Sequence, residues 1–220
     1  MTAGRRERKA AQTRLDLMAA LGDRLAKRPL EDINVRELAE AADVSEATFY
    51  NYFPSKADLA IYFIQIWSID MGWHARAADP AGPRAAITAI FDHTAAAVAA
   101  APRVMGEVIA VQARLEGKVA PPPLSALDKQ LAFPDRPGIE ALDALGLDGL
   151  LPPRLLRART IGELPLWLDL DAAFLALVSV FFGVPLILAR RAPGQLAAAY
   201  RQQLALVWAG LAAPARKDAP

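Results

Sequence analysis

The sequence contains no cysteine, which excludes disulfides, thiolate catalysis and cysteine-ligated zinc or iron–sulfur centres. Histidine is almost as scarce: His74 and His93 are the only two in 220 residues and leave little for a histidine-based metal centre. His93 does stand beside Asp92, but adjacent residues on a helix point in different directions, so no metal and no cofactor is expected. Neither sign of charge dominates, with 25 Lys and Arg against 24 Asp and Glu. For a nucleic-acid partner the distribution of charge matters, and the total says nothing. Alternating apolar and polar runs flanked by turn dipeptides are missing, so strands have no candidate. No apolar stretch follows the basic first twelve residues, so no secretory signal is expected and the expected location is the cytoplasm. Apolar residues are abundant, at 54% against 22% charged, enough to bury a substantial core and to exclude wholesale disorder.

Glycine and proline divide the chain into helical stretches. From Arg8 to Lys27, the residues Leu15, Met18, Ala19, Gly22, Leu25 and Ala26 form a stripe at helical spacing, and Pro29 follows the helix end. Asn34 with Glu37 reads as a capping box for a short helix whose buried face is Val35, Leu38, Ala39 and Ala42. After a turn at Asp43 and Val44, Ser45 caps a second short helix that runs to about Phe53, before Pro54. Ser55 and Asp58 then cap a long helix from Lys56 to about Ala78. Ala-rich helices are expected over Pro83–Ala100 and Pro102–Glu116. Residues 117–168 hold eight of the seventeen prolines, which predicts short helices and irregular connections. Two long apolar helices, Asp169–Arg191 and Gln195–Leu211, precede a tail over residues 214–220 that is expected to be flexible.

Two short capped helices joined by a tight turn describe a helix–turn–helix. At 100° per residue, Tyr52 and Phe53 fall within about 60° of Phe49, while Ala47 and Asn51 lie opposite, flanked by Thr48 and Tyr50. Aromatics on one side would lock such a helix to its neighbours, leaving short and polar groups to meet a major groove. Asn51 can pair with adenine, Thr48 can meet a phosphate or a thymine methyl, and Ala47 permits close approach. Glu46 can accept from cytosine N4. Tyr50, Arg36 and Lys56 are the candidate phosphate contacts, the last at a helix start where free N–H groups converge on an anion. Arg5, Arg6, Arg8, Lys9 and Arg14, against Glu7 alone, form a basic N-terminal arm fit to follow a DNA backbone or enter a minor groove.

The stretch from Thr13 to Leu59, centred on VRELAEAADVSEATFYNYFPSKADL (Val35–Leu59), resembles the DNA-binding domain of the TetR family of transcriptional regulators. Its most specific string is Val-Ser-x-x-Thr-x-Tyr-x-Tyr-Phe-x-Ser-Lys (Val44–Lys56). By position, the resemblance makes Thr48, Tyr50 and Lys56 backbone-contacting and Phe49 and Phe53 structural; Ser45, at the cap of the same helix, is a further candidate DNA contact. Two residues depart from the family pattern: Asp43 stands where glycine is common, and Glu46 where a basic or small residue is common.

The expected fold is therefore all-α: a DNA-binding domain over residues 1–55, then a larger helical effector-binding and dimerisation domain over 56–213. The resemblance implies a homodimer through the last helices, usually a repressor, reading a palindromic operator. It also implies an effector pocket lined by the long helix after the motif. Trp67, Met71 and His74 share one face of that helix, and Phe91, Met105, Ile109, Trp167 and Phe174 are candidate facing groups. The scarcity of charge among them points to an apolar or aromatic effector. Two alternatives were weighed. One is a helical enzyme or small-molecule-binding protein using the C-terminal apolar region, for which no nucleophile–base pairing, phosphate loop or metal spacing speaks. The other is membrane insertion of the uncharged run Ala172–Ala189, against which stand Asp169, Asp171, Gly183, Pro185 and the partner helix that follows.

Overall fold

The computed structural model describes residues 4–114 and 123–213. The expected tail over 214–220 lies outside these residues, as does the end of the helix expected to reach Glu116. Among the described residues there are ten α-helices and no strand, the all-α class expected. The chain divides into two compact units, one of residues 1–70 and 101–144, the other of residues 71–100 and 145–220. The boundary expected between residues 55 and 56 falls inside the first of these.

In the first unit, α1 (Arg5–Leu25) is followed by a 3₁₀ turn at Leu30–Asp32, then α2 (Val35–Ala41) and α3 (Glu46–Tyr52). α4 (Lys56–Ala78) begins in this unit, and α6 (Pro102–Arg114), α7 (Ala126–Ala132) and a 3₁₀ turn at Ile139–Ala141 complete it. The caps expected of α2 and α3 are present. The Asn34 side chain accepts from the Arg36 N–H at 3.0 Å while Glu37 accepts from the Asn34 N–H at 2.6 Å. Ser45 Oγ accepts from the Thr48 N–H at 3.1 Å. Asp43 takes a left-handed backbone, with φ of 54°, at the turn between α2 and α3. Leu38, Phe49, Phe53, Leu59 and Tyr62 are fully buried, with the Phe53 and Tyr62 rings edge-on at 5.3 Å.

Two features of α1 differ from expectation. The helix starts at Arg5, so the basic arm forms its first turns; the Glu7 carboxylate accepts from the Gly4 N–H at 2.9 Å and offsets the cations at the positive helix end. The buried stripe is also rotated: Leu17 and Leu21 are fully enclosed, whereas Ala19 and Ala26 are exposed. The reason is that α1 packs not only on α2 but also on α6 and α7, the last arising from the proline-rich stretch.

One buried carboxylate fixes that packing. Asp128, on α7, has a side chain fully removed from solvent. Its Oδ1 accepts from Arg14 Nε at 3.0 Å, Arg14 Nη2 at 2.7 Å and the Tyr62 hydroxyl at 3.0 Å. Its Oδ2 accepts from the Ser125 N–H and Oγ at 2.8 and 2.6 Å, closing the capping box of α7. Burial and the neighbouring Asp128 charge hold the Tyr62 phenol well above the ordinary tyrosine range.

The second unit contains the end of α4, then α5 (Pro83–Ala100), α8 (Gly146–Thr160), α9 (Leu170–Leu188) and α10 (Leu196–Ala212). α8 is longer than the short pieces expected, and it carries Pro152 and Pro153 inside it. It is held by Leu151 and Leu155, both fully buried, and by Arg154, which pairs with Asp79 at 2.9 Å. Phe91 of α5 meets Phe181 of α9 and Tyr200 of α10 edge-on at 5.4 and 5.1 Å, and the Tyr200 hydroxyl donates to the Phe181 carbonyl at 2.6 Å. Burial holds that phenol above its ordinary range.

Candidate nucleic-acid interface

α3 is sorted as its sequence requires. Phe49 is fully buried, Tyr52 is half-buried beneath the Arg14 guanidinium, and Phe53 just beyond the helix is fully buried. On the other side Glu46, Ala47, Tyr50 and Asn51 are exposed, with Ser45 exposed at the cap. Thr48 is half-buried, and its hydroxyl lies 3.0 Å from Ser45 Oγ. The outward face thus offers one amide, one phenol, one carboxylate and a methyl group, the inventory of a base-reading helix.

The surrounding charges are arranged less simply. Arg36 is exposed and pairs with Glu40 at 2.8 Å; both side chains are so open to water that the pair costs little to exchange for a phosphate. Arg5, Arg6 and Lys9 all lie exposed on the first turns of α1. Lys56 is more occupied than its place at a helix start suggested: its ammonium donates to the carbonyls of Leu30, Glu31 and Ile33 at 2.9, 3.1 and 2.6 Å. The position suggested an anion seat because the spacing places it at a helix start; the distant carbonyls of the 3₁₀ turn could not be foreseen.

The expected effector residues are divided between the units. Trp67, Met105 and Ile109 lie in the first and Met71, His74, Phe91, Trp167 and Phe174 in the second. Phe91, fully buried in the aromatic cluster, acts as core rather than as pocket lining. Trp167 is 55% exposed on the connection between α8 and α9, so it faces water instead of an interior. Met71 is buried and accepts from the Thr94 hydroxyl at 3.4 Å. His74 stacks on His93, with ring centroids 4.2 Å apart, a juxtaposition that sequence reasoning did not find because the two sit on different helices. Burial, and for His74 also the His93 charge, holds both imidazoles below the ordinary histidine range. Asp92 is engaged elsewhere, by Arg201 at 3.0 and 3.1 Å.

On α9 the buried row is Ala173, Leu177, Phe181 and Pro185, and on α10 it is Leu196, Tyr200, Leu204 and Trp208, each at four-residue spacing. Away from those rows Leu175, Leu186, Ile187 and Leu206 stand more than 60% exposed. α9 has the length and composition to cross a membrane, a property shared by the core helices of other proteins. Between α9 and α10 runs a shallow groove of about 420 Å³ lined by Val180, Val184, Ile187 and Ala199 among others.

A family model described as bacterial regulatory proteins, tetR family, matches residues 23–62, which run from late α1 through α3 into α4. Over these residues the chain is similar to the DNA-binding segment of the TetR family. The HTH-type transcriptional regulator EthR of Mycobacterium tuberculosis (strain CDC 1551 / Oshkosh) is 38% identical over 69 residues, covering 30% of this chain. The match spans about a third of the length of that curated relative, 32%. The fold of the chain beyond the matched segment is met in solved structures. Thermus thermophilus FadR in complex with lauroyl-CoA superposes with a TM-score of 0.64 at 20% identity, over 94% of this chain and 99% of that one. Bacillus subtilis FadR in complex with stearoyl-CoA gives 0.61 at 16% identity, over 89% and 98%. At such identities the likeness concerns the fold, a helix–turn–helix followed by a larger helical region.

Proposed function

We propose that this protein is a cytoplasmic, ligand-responsive transcriptional regulator of the TetR family that binds a palindromic operator as a homodimer and, as a repressor, leaves it when a small apolar effector binds. The observation that carries the reading is the division of α3. Phe49 is fully enclosed, while Ala47, Tyr50 and Asn51 face outward together. In this reading Asn51, Ala47 and Glu46 meet bases, and Tyr50, Thr48, Arg36 and the basic first turns of α1 meet the backbone.

One such helix makes few contacts, and a twofold pair reading half-sites about 34–36 Å apart, or a multiple of it, supplies the rest. The exposed apolar residues of α9 and α10 are proposed as the surface on which two copies meet, which is also the alternative to membrane insertion for that face. The effector is proposed to be apolar or acyl-chain-bearing, with His74 a candidate polar contact. Two similarly folded proteins were solved with lauroyl-CoA and stearoyl-CoA, and the helical region here is rich in apolar groups. An effector releases DNA only through its differential affinity for the two states of the dimer.

The test is selection of duplexes from a randomised pool by the purified chain. Binding to the selected duplex is then measured by anisotropy with and without fatty acids and acyl-CoAs of graded length. Enrichment of an inverted repeat, and its release by a long-chain member of the panel, is expected. A monomeric chain that enriches no sequence overturns the regulator; release only by polar, highly charged metabolites overturns the effector class.

A further inference from the structure

We infer that the indole N–H of Trp67 is a binding point for the effector, and that it takes an uncharged carbonyl group (ester, thioester, lactone, amide or ketone) in preference to a free carboxylate; the inference rests on the effector-binding reading above. Trp67 belongs to the first unit, near the middle of α4. The residue is half-buried, but its Nε1 is fully enclosed and has no hydrogen-bond partner among the described residues. An indole nitrogen can only donate, and a buried donor without an acceptor is a standing cost to the fold, rare enough in native proteins to call for an explanation. A ligand that brings an acceptor to this nitrogen removes the cost, and gains affinity by doing so.

The surroundings select the kind of acceptor. Phe63, Ile64 and Trp67 lie on one face of α4 and pack, together with Phe133, against the core cluster that holds Val104 and Val108 of α6. That lining suits a hydrocarbon skeleton. Asp70 stands three residues on, along the same face; it is buried and paired with the Arg136 guanidinium, which itself lies over the Phe133 ring at 4.8 Å. The charge on this face is thus already balanced. A ligand carboxylate would arrive as a second anion beside Asp70, stripped of its water and with no further cation to answer it. A neutral carbonyl oxygen carries no such penalty and accepts one N–H well.

The test uses the full chain and two probes that share an apolar chain and differ at its end, methyl decanoate and decanoate. Affinities are measured by calorimetric titration for the wild type and for Trp67→Phe, which keeps an aromatic ring and removes the N–H. The wild type is expected to bind the ester about tenfold more tightly than the acid, and Trp67→Phe to weaken the ester about fivefold or more while leaving the acid unchanged. A residue that serves packing alone would weaken both probes alike. If Trp67→Phe does not fold, the wild-type chain still decides by magnetic resonance of isotope-labelled tryptophan: the Trp67 indole N–H signal is expected to move downfield as the ester saturates the chain. Equal affinity for the two probes, equal weakening of both, an unmoved indole signal, or no binding of the ester overturns the inference. Release of the selected duplex separates the two readings. Release by decanoate with the indole signal unmoved defeats this inference alone, whereas an ester that binds at Trp67 without releasing the duplex defeats the effector reading and leaves the binding point.

Discussion

Removing Arg14 tests how α7 holds the first helix. In Arg14→Met the Asp128 carboxylate stays buried and keeps Tyr62 and Ser125 as donors, but loses the guanidinium charge and the two hydrogen bonds that Arg14 donates to Oδ1. Breaking a buried ion pair by removing one partner costs about 3–5 kcal/mol. Arg14 retains 20% side-chain exposure, so water already shares its charge and a cost just below that range, about 2–3 kcal/mol, is the reasonable expectation. For a chain of this size each kcal/mol moves the melting temperature by about 2–4 °C, so a drop of roughly 5–10 °C is expected in calorimetry. Removing both charges leaves no unpaired carboxylate. Arg14→Met/Asp128→Leu should therefore be less destabilised than the two single changes summed, by about 1 kcal/mol or more in urea titrations. The sum fails as a prediction if Arg14→Met costs less than about 0.5 kcal/mol or if the double variant is strictly additive. Either result would mean that apolar packing alone holds α7 on α1.

Tyr50→Phe removes one exposed hydroxyl and should weaken DNA binding by about 1 kcal/mol across sequences without changing stability, checked by anisotropy beside thermal melts. Tyr200→Phe leaves the buried Phe181 carbonyl without its donor and should cost about 1–2 kcal/mol in urea titrations. Leu186→Glu with Leu206→Glu should turn a dimer into folded monomer in sedimentation, because both side chains are exposed in the single chain and only a partner would bury them. Both histidines sit below their ordinary value in the folded chain, so the unfolded chain binds protons more readily. Stability should be fully present above the unfolded value of about 6.5 and decline as pH falls below it. His74→Gln/His93→Gln should flatten that decline in urea midpoints followed from about pH 8 to 5. A variant as steep as the wild type would exclude this pair as its source.

Local rules carried much of the molecule. Asn34 and Ser45 announced their helices because capping is a matter of three or four neighbouring residues, and the angles within seven residues sorted Phe49 from Asn51. The sequence alone thus determined the all-α class, the helix–turn–helix and which side of its second helix turns outward. Tertiary structure decided what depends on partners far along the chain. α7 and α8 rise from a proline-rich stretch because α1 and α5 pack on them, and Asp128 is paired with a residue 114 positions away. Lys56, which looked like an anion site by its place at a helix start, also donates to carbonyls 23 to 26 residues upstream. A long-range hydrogen bond leaves no periodicity in the chain; only folding brings its donor and acceptor within 3 Å, and only then is the task of a charged side chain settled.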